Sequence, residues 1–213
     1  MKRANYKFLA ILILTLAVSI VVYPQLPATV ASHFNAAGEV NGTMNRFWGA
    51  FLVPLIMVML YVVYAVIPHI DPLGENIASF RRAYDVFWLG VLVFLLYLHM
   101  LTLAFNTGWR FNMTVALVPG LAALFWLIGW LMSQSRRNWF IGIRTPWTLS
   151  SDSIWEATHR MAGTLFKVAG ILMLGALVFP SLSLWFIFVP ILIAALVPIV
   201  HSYLLYRRHL TSR

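Results

Sequence analysis

The sequence predicts an all-α, polytopic membrane protein with six transmembrane helices and both termini in the cytoplasm, and three observations carry that prediction. Of the 213 residues, 62% are hydrophobic and only 10% charged, a balance far more apolar than water-soluble domains show. The apolar residues gather into six runs, residues 8–24, 47–68, 86–106, 113–133, 161–180 and 184–206, each near the ~20 residues that cross a bilayer as a helix. Threading the connections alternately from an inside N-terminus places 13 of the 15 Lys and Arg in the cytoplasm and leaves only Arg46 and Arg110 outside, the asymmetry that sets orientation. The formal net charge of +9 is thereby accounted for by topology. It implies attraction to anionic lipids rather than direct nucleic-acid binding.

Each run has its own features. In the first, Lys2, Arg3 and Lys7 precede the apolar stretch and Val30-Ala31-Ser32 imitates a signal cleavage site. The stretch Phe8 to Tyr23 is long for a signal core, however, and that site lies well past Pro24, so the segment reads as an uncleaved helix. Pro54 in the second run, Pro119 in the fourth, and Pro190 and Pro198 in the sixth each free a backbone carbonyl and can kink the helix. The third run carries His99, with Asp85 at its start; His69 and Asp71 follow the second, and His201 lies in the sixth. Gly163, Gly170 and Gly175 in the fifth offer small surfaces for helix contact. The absence of cysteine excludes disulfides, thiol nucleophiles and thiolate metal sites.

Two connections are long enough to have structure. The external one, about residues 25–46, holds His33, Asn35, Gly38, Glu39, the Asn41-Gly42 pair and Asn45. Gly38 and Asn41-Gly42 favour turns, so the chain is expected to fold back twice and gather His33, Asn35, Glu39 and Asn45 into one polar site. A His and a carboxylate there could bind a divalent ion, hold a peptide terminus or act as an acid–base pair; backbone hydrogen bonding within the loop is the alternative. The cytoplasmic connection, about residues 134–160, interleaves Trp139, Trp147 and Trp155 with Arg136, Arg137, Arg144 and Arg160. That mixture suits either the headgroup layer or a protein-docking surface. Pro146 keeps Thr145 out of a helix, and Ser153 with Glu156 predicts a capping box opening a helix near residue 154. Arg144, beside Pro146 and Trp147, is expected to have its guanidinium aimed, with Arg136 and Arg137 replaceable by lysine.

These connections also resemble a known family. Pro27, His33-Phe34-Asn35, Gly38-Glu39 and Gly42 resemble the N-terminal domain of uncharacterised function found in SdpI-like membrane proteins. Asn138-Trp139-Phe140-Ile141-Gly142-Ile143-Arg144-Thr145-Pro146-Trp147-Thr148, followed by Trp155, Thr158-His159-Arg160 and Gly163, resembles the SdpI signature itself. The resemblance implies a bacterial immunity and signal-transduction protein of the plasma membrane. Such a protein protects its producer from a secreted amphipathic peptide toxin and can recruit a cognate transcriptional repressor. It also implies a two-part chain: residues 1–83 as a two-helix unit bearing the external loop, and residues 84–213 as a four-helix unit bearing the Arg-Thr-Pro-Trp segment.

On that basis the candidate binding residues are His33, Asn35, Glu39, Asn138, Arg144, Thr145, Trp147, Trp155 and His159. No HExxH, GxSxG or Walker motif is present, so no catalytic residue and no cofactor is expected. The residues alone leave two other readings open. One is a small transporter with His99 and His201 along its path. The other is a membrane-embedded, metal-dependent hydrolase using His33 and Glu39 with a third ligand such as His69 or His99.

Overall fold

The computed structural model describes residues 2–35 and 37–211. Among them, six helices are long and apolar enough to cross a membrane. The spans lie in α1 (Lys2–Val22), α2 (Arg46–Ile70), α4 (Arg81–Asn106), α5 (Met113–Gln134), α7 (Asp152–Met173) and α9 (Ser183–Thr211). Short helices α3 (Gly74–Ser79), α6 (Pro146–Ser150) and α8 (Gly175–Val178) join them. The protein is therefore a multi-pass helical membrane protein. The lipid-facing sides of these helices carry large apolar residues such as Ile13, Val58, Ile171 and Trp185.

The connection between α1 and α2 is not helical. It folds back once, into an antiparallel hairpin of β1 (Thr29–Phe34) and β2 (Val40–Asn45), rather than twice as the two glycine-containing pairs suggested. The single reversal lies between Asn35 and Glu39, where Asn35 N–H donates to Glu39 O at 2.8 Å and Gly38 N–H returns to Asn35 O at 2.9 Å. Gly42 sits inside β2, opposite His33. Asn45 is drawn away from the polar cluster, because its side chain caps α2 by accepting from Phe47 N–H at 2.8 Å, the usual use of an Asn at that position.

The hairpin is docked on the bundle. Val30 of β1 is buried beside Gly49 of α2, and Phe34 packs edge-on against Phe105 of α4 with ring centroids 4.9 Å apart. Asn112 Nδ2 donates to Ala37 O at 2.8 Å while its Oδ1 caps α5 through Val115 N–H at 3.0 Å. The start of α5 thus holds the tip of the hairpin.

Within the bundle, α5 and α7 cross closely: a Cβ at Gly163 would stand 2.8 Å from the Gly129 carbonyl oxygen, closer than side chains tolerate. Between α2 and α4, Tyr64, Tyr84 and Phe8 stack in the core. Tyr64 Oη donates to Asp85 at 2.9 Å, and Arg81 pairs with Asp85 at 2.7 Å. His99 is fully buried in α4, with its Nε2 2.8 Å from Ser19 Oγ of α1, an interhelical bond that leaves its buried Nδ1 without a hydrogen-bond partner.

Candidate functional site

The residues singled out from the sequence divide between the two ends of the bundle, joined by the length of α2. At the hairpin end, His33 Nδ1 lies 2.5 Å from Asn41 Oδ1; an amide oxygen only accepts, so Nδ1 carries the proton. Asn35 spends its side chain on the turn. Its Oδ1 accepts from Ala37 N–H at 2.9 Å and Glu39 N–H at 3.0 Å, and its Nδ2 donates to Glu39 Oε2 at 3.0 Å. His33 and Glu39 therefore make separate local bonds, both exposed. Among the described residues, no three His, Asp or Glu side chains are grouped so as to hold a metal ion.

No motif marks the residue that holds the hairpin most directly. Asn106, at the end of α4, accepts from Ala31 N–H at 2.7 Å and donates to Ala31 O at 3.0 Å. A side-chain amide thus occupies the outer edge of β1 as a neighbouring strand would.

At the other end, the connection from α5 to α7 is a wound segment built on its own hydrogen bonds. Asn138 is fully buried and uses its whole amide: Oδ1 accepts from Phe140 N–H at 3.0 Å and Ile141 N–H at 2.6 Å, while Nδ2 donates to Arg136 O at 2.8 Å and Ile141 O at 3.0 Å. Thr145 caps α6 in a reciprocal box with Thr148. The cap of α7 is Ser151, which accepts from Ile154 N–H, and not Ser153 as the Ser153/Glu156 spacing suggested. Glu156 is turned instead to Arg136 as an ion pair.

His159 is the hub of the segment. Ile143 N–H donates to its Nε2 at 2.9 Å, so Nε2 is the acceptor nitrogen, and Nδ1–H donates to Trp155 O at 2.8 Å. Both nitrogens are spent, and the ring is neutral in one tautomer. The ring also stacks on Trp155, 3.9 Å between centroids at 15°, and buried Trp155 donates from Nε1 to Ser135 O at 3.1 Å. Gly142, at φ +112°, passes directly over this pair.

The segment is then fastened on both flanks. Asp71, at the C-terminal cap of α2, accepts from Trp139 N–H at 2.9 Å, and Asn76 of α3 donates to Arg137 O at 2.7 Å. On the other side Trp147 Nε1 donates to Ser202 Oγ of α9, and its ring meets Tyr203 edge-on at 5.4 Å. Asp71 was legible only as an ionisable group near a helix end, and Asn76 carried no signal.

Arg137 is half-buried, pairs with Asp152 at 2.8 Å and donates to Leu149 O at 2.8 Å, a structural role that lysine does not reproduce. Arg144 is exposed and donates one bond, to Trp139 O at 2.9 Å. With Trp139 it forms the outward face of the segment. A neighbouring polar pocket of about 310 Å³ is lined by Asn76, Ser79, Arg136, Arg137, Asp152, Trp155 and Glu156, and the two ion pairs lie in its wall.

Comparison with known proteins matches both ends of this arrangement. Residues 134–202 match the SdpI/YfhL protein family, and residues 10–58 match a domain of unknown function, DUF1648. Immunity protein SdpI of Bacillus subtilis (strain 168) is 24% identical over 168 residues, covering 79% of this chain and 78% of that protein. No solved structure matches the chain. The DUF1648 match thus runs through α1 and the hairpin into α2, and the other match runs from the wound segment through α7 into α9, so the chain is similar to SdpI/YfhL proteins in its C-terminal half and to DUF1648 proteins in its N-terminal part.

Proposed function

We propose that this chain is a non-enzymatic immunity and sensor protein of the plasma membrane, which meets a secreted amphipathic peptide toxin at its hairpin end and presents its wound segment to a cytoplasmic partner, a transcriptional repressor. The similarity to Immunity protein SdpI across most of both chains carries this reading. The reading is supported by the hairpin and the wound segment lying at opposite ends of one helix, α2; in it, residues 1–83 are the receiving unit and 84–213 the reporting one. At the hairpin, His33, Asn41 and Glu39 are exposed and available to a peptide.

At the other end, Asn138, Thr145, Trp155 and His159 shape the segment from within, so binding falls to the exposed Trp139 and Arg144 and to the outer part of Trp147. Arg144 commits one nitrogen to Trp139 O, leaving the rest of a planar five-donor fork for a carboxylate or a lipid phosphate.

Orientation is tested by reporter fusions after Arg213 and within residues 37–41. They should report opposite sides of the membrane; the same side for both overturns the topology. Function is tested by expressing the chain in a bacterium sensitive to the peptide toxin of an SdpI system. Survival should rise and should fall again with His33→Ala or Glu39→Ala at unchanged protein level. Arg144→Lys should leave insertion and survival intact but release the repressor from the membrane. Attraction to anionic lipid counts charge at about 1 kcal/mol per basic residue and would survive that change, so retained recruitment reduces Arg144 to a lipid contact.

A further inference from the structure

The two edges of the hairpin are treated differently. The outer edge of β1 is closed by Asn106, which bonds both the N–H and the C=O of Ala31. Because these groups turn away from β2, Ala31 and the residue opposite it form a non-hydrogen-bonded pair of the antiparallel ladder. That opposite residue is Thr43, so the N–H and C=O of Thr43 point away from β1, on the side of the hairpin remote from α4.

Proteins usually blunt an open edge with a proline, a lysine or an inward charge. The stretch Val40-Asn41-Gly42-Thr43-Met44-Asn45 contains none of these, and Val40, Asn41, Thr43 and Asn45 are exposed. Its exposed side chains are small and uncharged, so it offers no pocket for an apolar anchor and no cluster for a phosphate. What it has unspent is main-chain hydrogen bonding, and the partner with matching donors and acceptors at strand spacing is another extended main chain.

The geometry points to the free edge of β2 as a β-augmentation site that takes an extended peptide segment as a third strand, centred on Thr43. The charges that bracket the edge, Glu39 before it and Arg46 after it, favour a segment that is uncharged at its centre and carries a cation at the end facing Glu39. This rests on the peptide-recognition reading above and specifies how the peptide is held: by its backbone, which makes recognition tolerant of side-chain sequence.

Thr43→Pro tests it with little cost to the hairpin, since proline is accepted on an edge strand where the lost N–H faces outward. Thr43→Val retains the N–H and serves as the control. A displayed library of random short peptides is selected on the full chain in nanodiscs, and selected peptides are resynthesised with alternate backbone amides N-methylated. Binding should weaken at least about tenfold, roughly 1.4 kcal/mol, both on Thr43→Pro and on N-methylation of one alternate set of amides, while Thr43→Val binds as the parent does.

Peptides that bind Thr43→Pro as well as the parent overturn the edge and leave peptide recognition standing elsewhere. No selectable peptide overturns both. A dimer of the chain that Thr43→Pro dissociates, with no peptide selected, overturns the proposal in favour of a second copy on this edge. If Thr43→Pro loses its cooperative thermal transition, the N-methylated peptides decide alone, and equal affinity with and without methylation overturns it.

Discussion

Gly142→Ala is expected to unfold the segment between α5 and α7 at a temperature well below that of the parent protein. Gly142 has φ +112°, and holding a residue with a side chain there costs about 1–3 kcal/mol. The new methyl would also meet His159 Nε2 and lie 3.1 Å from its Cδ2 and 3.2 Å from the edge of Trp155. Those rings are buried and pinned by bonds on both sides, so they have nowhere to retreat, and overpacking adds about 1–3 kcal/mol more. A built-in control separates the two costs. Gly108 has nearly the same φ, +111°, with no heavy atom within 4 Å of an added Cβ, so Gly108→Ala incurs the backbone cost alone. Thermal denaturation in nanodiscs should rank parent, Gly108→Ala, Gly142→Ala in falling order. Equal melting of the two variants would mean that the His159 and Trp155 stack gives way easily.

The second large effect is expected at Asn138. Alanine there removes four hydrogen bonds and leaves the N–H groups of Phe140 and Ile141 and the carbonyls of Arg136 and Ile141 without that partner in a largely dry site. At about 1 kcal/mol net for each bond, and more for each group left buried and unsatisfied, the loss is about 4 kcal/mol or greater. Trp139→Ala, one residue on, keeps the backbone N–H that Asp71 holds and removes a side chain that is 51% exposed; its effect on the melting temperature should be small. If Trp139→Ala proves as costly as Asn138→Ala, burial of that ring in the membrane holds the segment, and the internal bonds are secondary.

The six spans were legible in the sequence because a bilayer demands long apolar runs, and hydrophobicity alone writes them. The hairpin was not. Its strands are short, β2 carries Asn41, Gly42 and Asn45, types depleted in strands, and Asn41-Gly42 is the pair most often found at a reversal. What decided the register was tertiary: Asn106 holds β1 from the side, and Asn112 holds the tip. The motif residues of the wound segment were visible, yet their roles were not, because an Asn that serves a ligand and an Asn that serves its own backbone look the same in one dimension. His159 shows the point. It was a candidate binding residue by its place in the motif that the resemblance rests on, and the fold spends both of its nitrogens on main-chain groups.

The joint between the end of α2 and the wound segment has a consequence for how such a chain can drift over generations. Asp71 grips the N–H of Trp139 and Asn76 grips the carbonyl of Arg137, so the end of α2 and α3 read the wound segment's peptide groups and not its side chains. Residues 137 and 139 are then free, as far as this joint is concerned, to be exchanged for others while α2 and the wound segment stay in register. Proline at 139 alone is barred, for want of the hydrogen that Asp71 holds. The outward face of the segment can be rewritten without renegotiating the contact that ties it to the end of α2.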